Sequence, residues 1–128
     1  MIALLDTHTF LWWNMDSPML SAAAREFIGD GNNELFFSAA SAWEIAIKYS
    51  RGRLVLPALP DSYIPDRMAS QHIQPLAVLI SHALHVHRLP EIHQDPFDRL
   101  LIAQSQLEDL PILTADSTIA KYEINVIW

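Results

Sequence analysis

Four carboxylic acids stand at junctions in this chain where one local pattern gives way to another. Asp6 ends the apolar run Ile2–Leu5, and Asp116 follows Ile112-Leu113-Thr114. Glu44 lies in SAWEIAIKYSRG (Ser41–Gly52), just after the apolar Glu34–Ser38 segment, and Asp98 lies in HQDPFDRLLIAQ (His93–Gln104). Brought together, four carboxylates would repel one another unless they were protonated or shared a cation. Oxygen ligands of this kind select a hard ion, Mg²⁺ or Mn²⁺, over zinc. Two such ions can activate water and stabilise the leaving oxygen of a phosphodiester, as in metal-dependent nucleases.

Each acid also has a local explanation. Asp95 is a good N-cap, Pro96 suits the first helical position, and Asp98 can reach back as in a capping box. Ser41 and Glu44 match the same capping-box spacing, with Lys48 four residues on as an ion-pair partner. Asp6 and Asp116 can cap whatever follows them, since acids near helix starts are favoured by the helix dipole. Only their arrangement in space decides between capping and chemistry.

The elements that must position them follow from apolar patterning. Ile2–Leu5, Glu34–Ser38, Ile73–Leu76, Ile112–Thr114 and Ile124–Ile127 read as short strands. Thr7–Trp13, Ser21–Gly29, Ser41–Gly52, Asp61–Gln71 (despite Pro65), Ser81–Leu89, Pro96–Glu108 and Ser117–Lys121 read as helices, with LVLPALP (Leu54–Pro60) a proline-rich connection. Strands that are apolar throughout and alternate with helices predict an α/β domain, a parallel sheet covered on both faces. In such a sheet the strand C-termini share one edge, where ligands bind. Asp6 and Asp116 leave that edge, and Glu44 and Asp98 can reach it.

Composition bounds the rest. A chain of 128 residues, 51% hydrophobic and 18% charged, is expected to form one domain, residues 1–128, with a proper core. Cysteine is absent, which removes disulfides, thiolate metal sites and a thiol nucleophile. MIALLDTHTFLWW lacks the basic start and cleavage site of a signal peptide, and no apolar run is long enough to span a membrane, so a cytoplasmic location is expected. The net charge of −7, with eight Lys and Arg, excludes a nucleic-acid binder that works by bulk electrostatics. It does not exclude one in which cations neutralise a carboxylate cluster.

LLDTHTFLWW, SAASAWEIAIK, DPFDRLLIAQ and ILTADSTIAKY, in that order, resemble the PIN-domain toxins of the VapC type, and the resemblance runs from Ile2 to Trp128. It implies a PIN-like three-layer α/β fold with a short, mostly parallel central sheet flanked by helices. The activity implied is that of an endoribonuclease toxin of a type II toxin–antitoxin pair, dependent on Mg²⁺ or Mn²⁺. The partners implied are a cognate small antitoxin protein, an RNA substrate and a second copy in a homodimer. Carried over by position, the catalytic and metal-binding acids are Asp6, Glu44, Asp98 and Asp116, with Thr114 where the family often has a hydroxyl near the metal.

Other residues are weighed beside these. His8, two residues after Asp6, is a candidate substrate contact. Lys48, Arg51 and Arg53 form the best basic cluster for an RNA backbone, and Arg99 could orient carboxylates or touch phosphate. The cluster His82, His85, His87 and His93 contains no zinc motif and is assigned to surface and packing roles. Trp12, Trp13, Trp43 and Trp128 are assigned to core or partner contacts. A phosphoaspartyl phosphatase would need an Asp where His8 stands. The remaining alternative is a catalytically silent PIN-like module that binds protein or RNA.

Overall fold

Every side chain of the first strand, β1 (Ile2–Leu5), faces protein, because it is the central strand of a five-stranded sheet in the order β3-β2-β1-β4-β5. In the computed structural model, which describes residues Met1–Trp128, β2 is Glu34–Ser38, β3 Ile73–Leu76, β4 Ile112–Leu113 and β5 Val126–Ile127. All four pairings are parallel, with Leu5 beside Phe37 on one side and Leu113 on the other. All five expected strands are present, although the last two contain only two residues each.

Alternation along β1 divides the core in two. Ala3 and Leu5 point to one face with Leu35, Phe37, Ile73 and Leu113, beneath α1 (Thr7–Asn14), α2 (Ala22–Gly29), α3 (Ala39–Ser50) and α4 (Pro60–Ser70). Leu4 and Ile112 point to the other face, covered by Leu101, Ile102 and Ala103 of α6 (Pro96–Glu108). A short α5 (Ile80–His85) continues as a 3-10 turn, Val86–Arg88. The result is three layers, helix–sheet–helix. No helix is long and apolar enough to cross a membrane.

Local chemistry sets the boundaries. α6 starts as expected: Asp95 Oδ1 accepts from the backbone N–H of Phe97 and Asp98 at 2.8 and 3.0 Å, behind Pro96. Gly52, at φ +68°, ends α3 in the left-handed region where glycine is unstrained, and Arg53 N–H closes back on Lys48 O at 2.9 Å. α4 is helical through Pro65.

Two expected capping boxes are absent. α3 begins at Ala39, not Ser41, because Ser38 is its N-cap, the hydroxyl accepting from Ala40 N–H at 3.0 Å. Ser41 and Glu44 are therefore inside the helix, and the buried Ser41 hydroxyl has no partner. At α6 the backbone N–H of Asp95 donates to His93 Nδ1 at 3.1 Å rather than to Asp98. Both displaced acids are free for other work.

Candidate active site

β1, β2 and β4 are neighbours and parallel, so Asp6, Ser38 and Thr114 leave the sheet at one edge. Asp6 is the N-cap of α1 and is buried, 4% exposed. Its Oδ1 accepts from Thr9 N–H at 2.8 Å, and its Oδ2 accepts from the Thr114 hydroxyl at 2.5 Å. The same hydroxyl oxygen accepts from Asp116 N–H at 3.0 Å, so Thr114 ties the first acid to the last. Burial pushes the Asp6 carboxyl above the usual carboxylate range, more than its bonds to Thr114 and Thr9 lower it.

Glu44, in the second turn of α3, is equally buried. Thr7 Oγ1 donates to its Oε1 at 2.7 Å, and Lys48 Nζ lies 2.7 Å from its Oε2. Thr7 directly follows Asp6, so Glu44 is fixed against the beginning of α1. The position of α3 is set in turn by Ser38, whose hydroxyl donates to Gln104 Oε1 of α6 at 2.6 Å.

Asp98 and Asp116 meet through a residue that the sequence reading placed among the packing histidines. His93 Nε2 lies 3.0 Å from Asp116 Oδ2, in a hydrogen bond, and 3.0 Å from Asp98 Oδ2. Because Nδ1 accepts from Asp95 N–H, the proton of the neutral ring is on Nε2, facing both carboxylates. Spacing gave one signal for this: a histidine two residues before an N-cap can bond the cap's own N–H, and that aims its other nitrogen past the helix start. Two other histidines of that cluster turn elsewhere: His82 bonds Glu108, and His85 bonds Gln106.

Electrostatics couples Asp98 to Glu44 and Asp6. Asp98 is pushed up to about 7, first by burial and then by the negative charges of Asp95, Glu44 and Asp6, against the opposing pull of His93. Asp116 moves the other way: partial burial raises it, but the bonds from His93 and from the N–H groups of Thr118 and Ile119 outweigh that and hold it below the usual range. Asp98 and Asp116, with His93 Nε2 between them, lie within 4.8 Å of one another, a spacing at which a divalent ion could bridge the two carboxylates.

The residues expected to contact substrate divide. His8 is exposed and lies beside Asp6, Trp12, Ala115 and Asp116 on one cleft. Lys48 is held by Glu44, while Arg51 and Arg53 are exposed just past the same helix. Arg99 is turned inward instead. It is 8% exposed, and its guanidinium donates to the carbonyls of Pro90, His93, Val86 and Leu89. It braces the loop that carries His93.

A family model, the PIN domain, matches residues 3–125 of the chain. The chain belongs to the PIN domain family. Over 72 residues this PIN domain is 44% identical to ribonuclease VapC16 of Mycobacterium tuberculosis, an alignment covering 53% of this chain and 51% of that protein. The chain thus spans about half the length of that curated relative. Among solved structures, VapBC2 from Rickettsia felis bound to a DNA fragment from their promoter is similar at TM-score 0.72, with 13% identity over 98% of this chain and 97% of that one. A toxin–antitoxin complex from Klebsiella pneumoniae is similar at TM-score 0.60 and 14% identity, over 98% and 96% of the two chains. These likenesses show the PIN fold.

Proposed function

We propose that this PIN domain is an endoribonuclease toxin of a type II toxin–antitoxin pair, hydrolysing RNA phosphodiester bonds with Mg²⁺ or Mn²⁺ held by Asp6, Glu44, Asp98 and Asp116. The observation that carries the proposal is the run of contacts along the sheet edge. Thr114 joins Asp6 to Asp116, and His93 faces Asp116 and Asp98 together. Similarity to a ribonuclease over about half the chain supports the reaction class.

The donor set fits a hard divalent cation. Buried acids raised by desolvation, and at Asp98 also by neighbouring acids, beside one held low by hydrogen bonds, make a cluster short of positive charge. A bound ion would supply Lewis-acid stabilisation of charge at the scissile phosphate. The chain's own residues do the positioning. Thr114 and Thr9 hold Asp6, Thr7 and Lys48 hold Glu44, and His93 keeps Asp98 and Asp116 facing one another. The two hydroxyls that donate to the acids, Thr7 and Thr114, are buried and spent on holding them, so direct attack by water fits the site better than a covalent intermediate.

As in the toxin–antitoxin complexes whose fold it shares, the chain is assigned a small antitoxin partner. A homodimer and a cytoplasmic location belong to the same reading. The test is cleavage of total cellular RNA by the purified chain in Mg²⁺ or Mn²⁺ and in EDTA, beside Asp6→Asn. Discrete products that require the cation and vanish in the variant are expected. A folded, cation-binding preparation that cleaves nothing would make this a silent binding module, and cleavage persisting in both EDTA and Asp6→Asn would place the activity elsewhere.

A further inference from the structure

An aromatic row leads away from the acids. Asp6, His8, Trp12, Ala115 and Asp116 line a cleft of about 230 Å³. Along it the rings of His8 and Trp12 lie 5.6 Å apart and tilted by 33°, while Trp128, outside the cleft, backs Trp12 at 5.9 Å with its ring inclined by 57°. His8 is exposed; Trp12 and Trp128 are half-buried and lean on the core beneath α1. Core packing explains the inner sides of the two indoles. It does not explain an exposed imidazole at the rim, or a cleft that runs directly from that aromatic wall to two carboxylates.

Charge supplies the second observation. Arg25 is paired with Asp16, Lys48 with Glu44, and Arg99 is spent on backbone carbonyls. In a chain of net charge −7, few cations remain for holding a polyanion by phosphate contacts beside the ion at the acid cluster. Contacts indifferent to charge, such as base–aromatic stacking, would add affinity that these cations do not supply.

We infer that the His8–Trp12 wall of this cleft is a stacking platform for one unpaired nucleobase, next to the phosphate that enters the acid cluster. The inference rests on the ribonuclease reading of that cluster and names where a base of its substrate would sit. A nucleotide laid along the cleft puts its phosphate at Asp6 and Asp116, where a cation belongs, and its base over the rings. Ala115 offers only a methyl group opposite them.

The test compares a short oligouridylate with an abasic ribose-phosphate oligomer of equal length and charge, in EDTA at low salt, read by tryptophan fluorescence quenching. Wild type should bind the base-bearing strand roughly fivefold or more tightly, as one stacked base requires. His8→Ala and Trp12→Leu should each bring the ratio towards unity, while His8→Phe retains it and Trp43→Leu, away from the cleft, leaves it unchanged. Equal binding of the two strands by wild type overturns the inference, as does a preference that survives both cleft variants. Quenching by an arginine-rich peptide but not by RNA overturns it as well, in favour of a protein-docking face. Cation-dependent cleavage without base preference would remove the platform and leave the nuclease. Base preference without cleavage would do the reverse.

Discussion

His93 Nε2 stands 3.0 Å from Oδ2 of Asp98 and 3.0 Å from Oδ2 of Asp116, one N–H facing two carboxylates from different elements. Asp98 belongs to α6, and Asp116 follows β4. The imidazole is the one side chain in contact with both. Outer partners of this kind orient ligands, and their loss commonly weakens metal binding by about 10- to 100-fold. His93→Ala should therefore weaken Mn²⁺ binding at least about tenfold by calorimetry, with the fold intact by circular dichroism. Undiminished affinity would reduce His93 to a packing residue.

The raised carboxyls make the cation-free protein pH-sensitive. Asp98 has an ordinary value of 3.8 and stands at about 7 in the folded protein. Between about pH 4 and 7 the folded state keeps a proton that the unfolded chain has lost, so unfolding free energy falls as pH rises through that window. The full difference is on the order of 4 kcal/mol at most for a side chain this well buried. Asp6 is shifted in the same direction, whereas the lowered Asp116 adds stability that disappears only on further acidification. Urea denaturation in EDTA should show a less stable protein at pH 8 than at pH 5, with the slope much reduced in Asp98→Asn. Mn²⁺ should restore stability chiefly at pH 8, because it binds the ionised form. A flat profile in EDTA would mean that the acids do not share a site.

The same geometry shows what could be read from residues alone. Apolar runs with period-free burial gave the strands, and Asp95-Pro96 gave the start of α6, since these are local rules and the structure obeys them locally. The Ser41–Glu44 and Asp95–Asp98 boxes failed because spacing specifies which groups are able to meet, and tertiary contacts decided otherwise. Ser38 starts α3 one turn early through its bond to Gln104, 66 positions away. His93 was hidden for a related reason, as its acid partners are 5 and 23 residues distant and the local sequence shows only one more histidine near three others.

Thr114 is the hinge between the first and last acids, donating to Asp6 and accepting from Asp116 N–H. Thr114→Val keeps the shape and removes both bonds in a fully buried place. It should cost about 1–3 kcal/mol in urea denaturation, the range for stranding a buried polar group. It should also abolish cleavage, through misplacement of Asp6. Thr114→Ser, which retains the hydroxyl, should recover most of both; recovery of stability without activity would argue that the methyl group also orients the site.

Arg99 controls the site from beneath. Its guanidinium donates to carbonyls from Val86 to His93 and lies 3.4 Å from the Tyr122 hydroxyl, which itself accepts from His93 N–H at 2.6 Å. The backbone of His93 is thus clamped on both sides. Lysine at this position keeps the charge but presents a single point of donors, unable to reach acceptors spread around the loop. Arg99→Lys is therefore expected to lose about 2–3 kcal/mol of stability, in the range for several charge-assisted bonds exchanged for one. Its Mn²⁺ affinity should fall alongside that of His93→Ala, and the double variant should bind no more weakly than the worse single one, because both act on the same ring. Additive losses in that cycle would mean that Arg99 reaches the acids by a route other than His93.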